Sequence, residues 1–430
     1  MRIIDVLQRY VQPALGCTEP AAVALAAAAA RRAITGEIEG LHLVVDKMVL
    51  RNALAVAMPG SGGQAGIAIA AALGAIAGKP DMRLEVLSKA TEEHLAAARA
   101  LVDAGRVAVD LDSGHRNLYI EAKVSTSDGV GRAVIQGSHT NITLIERNGQ
   151  NLTCEVPVTA ADCSNEHDGP SDWLRNATVS ELVAAVEEMP QESVDFVLAG
   201  IAMNERAAQE GLRLAPGLGI GARLAETKAE STDSSRLLAP AWTAAAVDAR
   251  MSGLPVSVMT SSGSGNQGIA VTLPCLVVAR SLKADDDRLA RAVALGHLLL
   301  ARMREELGAL TPLCGSALHA AAASSAAMTW LLGGSVAQIG EAAALVLGTQ
   351  GGILCDGAKP GCALKAATGA QLALQVALLC VKDLQAGPGN GLMGKPFPEV
   401  LSDLAVVARD LEVASDRVLT ILAHDSSIGR

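Results

Sequence analysis

The interior of this chain has to be built almost without aromatic side chains. Half of its 430 residues are apolar but only 2% are aromatic, so alanine, leucine, valine and isoleucine must supply the core. Alanine has the highest helix propensity, and small side chains let the axes of neighbouring helices approach closely. The composition therefore predicts a fold in which closely packed helices form most of the interior.

The charge of the chain argues against nucleic acid as a partner. There are 35 basic and 45 acidic residues, for a net charge of −10, and no basic run or aromatic stacking surface is evident. The first ten residues, MRIIDVLQRY, carry charges every few positions and lack the apolar stretch of a signal peptide. Eight scattered cysteines without a secretory context indicate reduced thiols. We therefore expect a cytoplasmic protein.

One nearly uncharged segment needs a separate interpretation. Residues 317–340, ALHAAAASSAAMTWLLGGSVAQIG, are long enough to be considered as a membrane span. Alanine, serine and glycine dominate the segment, however, and a Gly-Gly pair interrupts it. This pattern favours two buried helices of a protein that has no membrane partner.

The period of the apolar residues changes along the chain and predicts two domains. Strand candidates and two helical stretches, 64–77 and 91–104, fill residues 38–162, and the strands bunched at 107–158 favour a largely antiparallel sheet. The strand candidates are 41–47, 52–58, 82–89, 118–126, 132–137 and 141–149. Residues 1–37 and 163–430 are mostly helical. We predict an α+β fold, with a large helical domain from 1–37 and 163–430 and a smaller α+β domain from 38–162.

Two similar segments place a glycine- and serine-rich loop directly before an apolar helix. They are PGSGGQAGIAIA (59–70) and SGSGNQGIAV (262–271). Glycine permits positive φ angles, and free amide groups at the start of a helix bind anions. Ordinary loops have the same composition, so an anion site is one of two interpretations. Its candidate residues are Ser61, Gly62, Ser264 and Asn266.

The segment GCTEP (16–20) places a cysteine before a predicted helix. Thr18 is suited to cap that helix, and Pro20 is tolerated in its first turn. A helix N-terminus lowers the pKa of a thiol, which would prepare Cys17 to act as a base, nucleophile or metal ligand. The alternative is a cysteine that only packs beside a capped turn.

The segment GSHTNIT (137–143) lies between two strand candidates. His139, Thr140 and Asn141 offer an imidazole, a hydroxyl and an amide within three positions. Such a turn either holds a small carboxylate or satisfies its own backbone groups.

Three further cysteines lie in glycine-bearing turns of the helical region. Cys314 occurs in PLCGSA, and Cys355 and Cys362 occur in GILCDGAKPGCALK. Structural zinc sites generally use cysteines two to four positions apart, and a ferredoxin spacing is not present. Spacing alone therefore leaves both packed thiols and a three-thiolate metal site open. We interpret the remaining cysteines as inert packing residues; they are Cys154, Cys163, Cys275 and Cys380.

Taken together, several segments resemble the L-cysteine desulfidase family, which is related to the α-subunit domain of iron–sulfur L-serine dehydratases. They are GCTEP, GSHTNI, RMSGLPVSVMTSSGSGNQGIA, LCGSALHAAAASSAA, LLGG and GGILCDGAKPGCALKAATGA. The resemblance runs from about residue 10 to residue 425. Two differences are Arg51, where the family often has lysine, and the ending DSSIGR, where bacterial serine dehydratases use a C-terminal cysteine as a displaceable ligand.

The resemblance implies a [4Fe–4S] cluster held by Cys314, Cys355 and Cys362 in the helical domain. The fourth iron would be open to substrate, and Cys17 would be the base or a displaceable fourth ligand. Lys359 and its neighbour Lys365 would offset the negative charge of the cluster and attract a carboxylate substrate, or else lie on the solvated surface.

The function that follows is the β-elimination of a small L-amino acid. L-cysteine would give pyruvate, ammonia and hydrogen sulfide, and L-serine is the alternative substrate for the same cluster. A non-enzymatic iron–sulfur sensor is a further alternative, although no partner-binding module is evident. A pyridoxal phosphate enzyme would need a Schiff-base lysine and a phosphate site, and no lysine context indicates one. The sequence also allows a homodimer.

Overall fold

The structure is a computed structural model that describes residues 2–59, 64–112, 114–115, 118–153, 169–227 and 234–424. It is 62% helical, with one larger sheet and one small sheet. The predicted α+β class, with a large and mostly helical part, is confirmed.

The helices and strands are numbered in chain order. The α-helices are α1 (Ile3–Tyr10), α2 (Thr18–Arg32), α3 (Lys47–Ala53), α4 (Ile67–Ala77), α5 (Glu92–Asp103), α6 (Gly169–Asn176), α7 (Val179–Glu187), α8 (Gln191–Leu214), α9 (Ile220–Thr227), α10 (Ser234–Met251), α11 (Gly265–Leu282), α12 (Asp286–Leu307), α13 (Ala320–Leu331), α14 (Val336–Gln350), α15 (Cys362–Cys380), α16 (Phe397–Asp410) and α17 (Glu412–His424). The strands are β1 (Pro13–Leu15), β2 (Ile38–Val45), β3 (Val107–Leu111), β4 (Tyr119–Thr126), β5 (Gly129–Gln136), β6 (Ile142–Arg147), β7 (Gln150–Asn151) and β8 (Ser257–Met259).

The larger sheet has six strands in the order β3-β2-β4-β5-β6-β7. Only the pairing of β2 with β3 is parallel, and the other four pairings are antiparallel. A parallel neighbour requires a long crossover, and here α3, α4 and α5 supply it. The prediction of a largely antiparallel sheet is therefore confirmed.

Helix α2 packs between the sheet and α4. Its alanines from Ala22 to Ala30 are buried and share one apolar core with β4, β5 and α4. Glycine on each neighbour permits the close approach, because a β-carbon at Gly74 of α4 would lie 2.6 Å from the Cα of Ala24. Likewise, a β-carbon at Gly131 of β5 would overlap the carbonyl group of Ala30. This packing places α2 in the core of the smaller α+β part; the domain boundaries themselves stay a prediction.

The start of the chain is tied to the helical part by a short two-stranded sheet. Strand β1 pairs antiparallel with β8, with Pro13 opposite Met259 and Leu15 opposite Ser257. Helix α1 packs on α8 and α12 in the large apolar core. Cys17 follows β1 directly, and Ser262 follows β8. The pairing therefore brings the beginning of α2 close to the glycine- and serine-rich loop before α11.

Two of the predicted strands are wrong. Residues 52–58 contain the end of α3 and an isolated bridge from Ala57 to Ala65, because Asp46 starts a helix by accepting hydrogen bonds from the amides of Met48 and Val49. Residues 82–89 belong to a 3₁₀ segment that begins at Pro80 and to the turn after it. The alternation of apolar and polar residues there comes from two side chains that are buried in a turn, and it does not indicate a strand.

The nearly uncharged segment forms buried helices, as predicted. One π-helical turn, Gly315–His319, leads into α13, and the chain turns at 333–334 before α14. Helix α15 is long and apolar enough to cross a membrane by length and composition. Half of its apolar window is buried against other parts of the protein, as in the core helix of a soluble fold, so this finding is weak evidence for a membrane span.

Replacing Gly74 by alanine tests the contact between α2 and α4. The added methyl group meets the backbone of Ala24, so we expect Gly74→Ala to lower the free energy of unfolding by about 1–3 kcal/mol. Gly340→Ala is the matched control, because the same methyl group in α14 has only Val179 Cγ2 at 3.7 Å. That change should be neutral or stabilising by up to about 1 kcal/mol through helix propensity. Urea unfolding measures both, and equal effects would contradict the tight contact.

Candidate functional site

A cavity of about 100 Å³ lies where α2, the loop before α11 and two turns of the helical part meet. Residues from distant parts of the chain line it. Among the residues predicted from sequence, these are Cys17, His139, Ser264, Asn266, Cys314, Cys355 and Cys362. Polar lining residues that were not selected as site residues include Glu19, Arg51, Asn52, Arg250, Arg304, Ser262 and His319. The fold thus collects in one place groups that are more than 300 residues apart.

A short antiparallel bridge positions Cys314 and Cys355. Leu313 pairs with Leu354, and the amide of Cys314 donates to the carbonyl oxygen of Ile353 at 2.8 Å. The amide of Cys355 donates to the Pro312 carbonyl oxygen at 2.7 Å. Side chains alternate along such a bridge, so both cysteines lie on the face opposite the two leucines. They are diagonal neighbours, and the β-carbons of such neighbours are about 7–8 Å apart or somewhat less.

The third cysteine begins α15. Cys362 contacts the Gly357 carbonyl oxygen through its sulfur at 3.6 Å. Lys365, one turn further on, donates to the Leu354 carbonyl oxygen at 2.9 Å and pairs with Asp356 at 2.5 Å. Lys359 also pairs with Asp356 at 2.5 Å and is not among the described residues that line the cavity. One carboxylate therefore offsets one of the two lysine charges, and a positive charge stays beside the thiols.

The thiols of Cys314 and Cys362 hold their protons in this arrangement. Burial, followed by the neighbouring thiol of Cys355, raises the pKa of Cys314, and burial raises the pKa of Cys362 to about 11. Thiols bind metals as thiolates, so binding of a metal or cluster would release these protons. In the described ranges, no three His, Cys, Asp or Glu side chains are close enough to hold a single metal ion. Each thiolate of a cubane cluster would bind a different iron, so a cluster does not need the close convergence of side chains that a single ion needs.

A buried carboxylate organises the other side of the cavity. The Cys17 thiol donates to Glu19 Oε2 at 3.0 Å, and Asn52 Nδ2 donates to Oε1 at 2.9 Å. His139 Nε2 lies 3.5 Å from Oε1. Burial would raise the pKa of Glu19, but its contacts with His139, Cys17 and Asn52 hold the pKa below its usual value. Glu19 is therefore ionised, and the glutamate of the GCTEP segment is a site residue that the sequence contained but that was not selected.

The predicted low pKa of Cys17 is wrong for this arrangement. Cys17 is the N-cap of α2, but burial raises the pKa of its thiol, and the negative charge of Glu19 raises it further. The positive charge of Arg250 lowers the pKa, but by less than burial and Glu19 raise it. A neighbouring carboxylate and the loss of solvent thus outweigh the helix terminus. The capping role of Thr18 is also not observed, because Thr18 is the first helical residue and its hydroxyl donates to Glu19.

The histidine turn contributes one of its three predicted residues to the cavity. His139 is 3% exposed and faces Glu19. Thr140 lies 3.5 Å from the side-chain oxygen of Gln12, and Asn141 Nδ2 donates to the Gln136 carbonyl oxygen at 2.9 Å. Neither Thr140 nor Asn141 is among the described residues that line the cavity. Asn141 satisfies the backbone of its own turn, which is the alternative that the sequence left open.

The second glycine- and serine-rich loop borders the cavity. Ser264 caps α11 by accepting a hydrogen bond from the amide of Gln267, and Asn266 accepts one from Arg250 Nη1 at 2.8 Å. Ser61 and Gly62 of the first loop lie outside the described residues.

The fold and the cavity together define a class of protein. It is an α+β protein whose cavity joins three cysteines of the helical part to a cysteine–carboxylate pair. Comparison with known proteins identifies a family for this chain. The sequence profile of the family described as serine dehydratase alpha chain matches residues 81–394. The chain belongs to the serine dehydratase alpha-chain family.

Relatives of similar length cover nearly the whole chain. A UPF0597 protein of Desulforapulum autotrophicum is 37% identical over 99% of this chain and 98% of its own length. Similar proteins occur in Oleidesulfovibrio alaskensis, with 37% identity over 97% of this chain and 96% of the relative, and in Geobacter sulfurreducens, with 36% identity over 98% of each chain. The similarity to these relatives therefore includes both the helical part and the smaller α+β part of the chain.

Replacing Asn52 by aspartate tests whether Glu19 is ionised. The change puts a second carboxylate beside Glu19 in a buried site, and we expect it to lower the free energy of unfolding at pH 7 by about 3 kcal/mol. The folded-state pKa of the new carboxyl would be raised, so the folded protein binds the extra proton more readily than the unfolded chain. The loss should therefore shrink by about 1 kcal/mol for each pH unit from 7 to 5.

Asn52→Ala is the control for this prediction, because it removes the donor to Glu19 without adding a charge. Its destabilisation should hardly change between pH 7 and pH 5. Urea unfolding at both pH values measures the two variants, and an identical pH dependence would contradict a buried carboxylate pair at positions 19 and 52.

Proposed function

We propose that this protein is a [4Fe–4S]-dependent lyase that catalyses the β-elimination of L-cysteine to pyruvate, ammonia and hydrogen sulfide. Membership of the serine dehydratase alpha-chain family supports a lyase-type enzyme of amino-acid catabolism. One observation carries the finer proposal: Cys17 lines the same cavity as Cys314, Cys355 and Cys362. The GCTEP segment, through its resemblance to L-cysteine desulfidases, favours L-cysteine as the substrate.

The residues of the cavity fit the proposed cofactor. Cys314, Cys355 and Cys362 supply three thiol ligands, two of them on one face of a bridge. Lys365 leaves a positive charge beside them, which suits a cofactor with net negative charge. When bound, the cluster would provide a Lewis-acidic iron for the substrate.

The protein's own proton-transfer groups are Cys17 and Glu19. In the proposed reaction the thiolate of Cys17 takes the α-proton of the substrate, and the electron pair forms a double bond to the β-carbon as the carbon–sulfur bond breaks. Sulfide leaves, and the aminoacrylate that remains is hydrolysed to pyruvate and ammonia. Cys17 must first lose its own proton, which its hydrogen bond to Glu19 Oε2 at 3.0 Å retains until the thiol pKa falls.

Positive charge has to lower the thiol pKa for this step. Arg250 already acts in that direction on Cys17, and the ammonium group of a bound amino acid would add to it. Cys17 thus becomes a base only with substrate in the cavity, which protects the thiol from reaction at other times.

L-serine is the second candidate substrate, because the matching family is described as serine dehydratase alpha chain. The deciding experiment is purification under anaerobic conditions, a visible spectrum, and pyruvate assays with L-cysteine and L-serine. The proposal predicts brown protein with about four irons and four sulfides per chain, and greater turnover of L-cysteine. A higher kcat/KM for L-serine would select the second candidate. A cluster without turnover of either amino acid would favour a sensor.

The same preparation tests the ligands. Cys355→Ser and Cys314→Ser should lose iron, sulfide and visible absorbance, together with pyruvate formation. Cys275→Ser is the control, since Cys275 is a fully buried cysteine of α11 that lies in the apolar core and is not among the described residues that line the cavity. A colourless protein that retains activity with zinc would refute the cluster.

The role of Cys17 is tested by Cys17→Ser. Three ligands remain, so the variant should keep its iron and its visible spectrum. General-base catalysis contributes about 10²–10⁴-fold, so kcat for L-cysteine should fall by at least about 100-fold. A loss below about tenfold would exclude the base, and a variant that assembles no cluster would show that Cys17 is a structural ligand.

Two further expectations belong to this proposal. We expect the enzyme to act on a small amino acid in the cytoplasm. The family is compatible with this location. The homodimer that the sequence allows is also a proposal, and sedimentation of the anaerobic protein measures it.

A further inference from the structure

Arg250 is a buried arginine whose hydrogen-bonding capacity is mostly unused. It lies near the end of α10, is 2% exposed and lines the cavity. Its Nη1 atom donates to Asn266 Oδ1 at 2.8 Å. Within the described part of the chain, Nε and Nη2 have no hydrogen-bond partner. A buried guanidinium without acceptors is costly, so this side chain is expected to face a ligand that supplies them.

The two free nitrogen atoms form one edge of the planar guanidinium group. Nε and Nη2 point in parallel from this edge, and such an edge donates two hydrogen bonds to the two oxygens of one carboxylate. Nη1 is on the other side of the group, where Asn266 fixes its orientation. The available donors therefore have the geometry for a carboxylate rather than for a single oxygen atom.

The start of α11 supplies further donors at the same place. Gly265 lies against the guanidinium group, and a β-carbon there would come within 2.6 Å of Arg250 Cζ. Ser264 accepts the hydrogen bond of the Gln267 amide. No acceptor in the described ranges takes the amide hydrogens of Gly265 and Asn266, the first two residues of this 18-residue helix. A free helix start beside a free arginine edge favours an anion.

In the other two arginines that line the cavity, protein acceptors already take at least one donor of the Nε–Nη2 edge. Arg51 donates from its three nitrogens to Asn52, Ser415 and Thr311. Arg304 donates to the Gly137 carbonyl oxygen at 3.1 Å. Arg250 is therefore the arginine of this cavity with a free edge.

We propose that Arg250 binds the α-carboxylate of the amino-acid substrate through Nε and Nη2, with the amides of Gly265 and Asn266 completing the site. The amino-acid class of the ligand rests on the proposed function. The carboxylate site thus lies at Arg250 and α11, and not at Thr140 and Asn141, which are not among the described residues that line the cavity.

Binding of unreactive carboxylates tests this site without turnover. Calorimetry with anaerobically purified protein uses L-alanine, pyruvate and L-alaninamide, which keeps the ammonium group of L-alanine but lacks its carboxylate. The wild-type protein should bind L-alanine and pyruvate, and L-alaninamide at least about 100-fold more weakly. Arg250→Met should weaken L-alanine binding by about 100-fold, because two charge-assisted hydrogen bonds are lost. Arg250→Lys should lie between the two, since lysine keeps the charge but not the paired donors.

Arg302→Met is the matched control. Arg302 is 8% exposed on α12, pairs with Glu306, and also has an Nε atom without a partner, but it is not among the described lining residues. It should leave L-alanine affinity unchanged. Visible spectra and thermal unfolding check that each variant holds its cluster and its fold. If Arg250→Met does not fold, Arg250→Lys and the L-alaninamide comparison still decide the question.

The outcomes separate this proposal from the proposed function. Wild-type affinity for L-alanine in Arg250→Met or Arg250→Lys, equal binding of L-alaninamide, or no binding of either carboxylate by the wild-type protein would overturn the site. Carboxylate binding that depends on Arg250 in a protein that forms no pyruvate would support the site and refute the lyase. In an active enzyme, the variants should raise KM for L-cysteine more than they lower kcat.

Discussion

The pairing of β1 with β8 holds the two halves of the site together. The amide of Thr260 donates to the Gln12 carbonyl oxygen at 2.8 Å, and the amide of Ser262 donates to that of Tyr10 at 2.7 Å. These bonds fix the start of α2 against the loop before α11, on the helical part. The rest of α2 is fixed by its alanines against the sheet and α4. Cys17 is therefore held at the seam between the two parts, and any loss of the β1–β8 pairing would separate it from the other thiols.

The cavity combines charges of both signs that are kept apart by distance. Ionised Glu19 lies on the α2 side with Asn52 and His139, whereas Lys365 and the cysteine turns lie on the side of α15. An amino acid carries an ammonium and a carboxylate group, and within the cavity Glu19 and Arg250 would attract one each. With the carboxylate at Arg250, the ammonium group would be free to approach Glu19. The α-carbon between them would then lie near Cys17, where a base is required.

The sequence predicted the parts of this structure that depend on composition and local pattern. Few aromatics and many alanines predicted closely packed helices, and the alternating segments predicted the antiparallel strands. The strand at 52–58 was wrong because one side chain, Asp46, caps a helix there. Strand 82–89 was wrong because its buried residues pack in a turn. Such outcomes depend on contacts in the folded protein, which the local hydrophobic period of a sequence does not encode.

The quoted segments located the site but did not show which of their polar residues the fold buries in it. His139 and four cysteines were selected from these segments, and all five residues line one cavity. The four cysteines are Cys17, Cys314, Cys355 and Cys362. Arg250 begins the quoted segment RMSGLPVSVMTSSGSGNQGIA but was missed, because an arginine near the end of a helix is ordinarily exposed and the tertiary packing of α10 is what buries it. The pKa of Cys17 was misjudged for the same reason. Its helix terminus is visible in sequence, but its burial and its hydrogen bond to Glu19 belong to the folded protein.

The distribution of unsatisfied polar atoms argues that this cavity is the functional site. Among the described residues, twelve buried side-chain nitrogen and oxygen atoms have no hydrogen-bond partner, and six of these belong to residues that line the cavity. Those six atoms belong to His139, Arg250, Ser262 and His319. Native proteins leave few buried polar groups without partners, and each needs a reason. An alanine-rich core has no need of such groups, so their concentration around one cavity is best explained by a polar ligand that completes them.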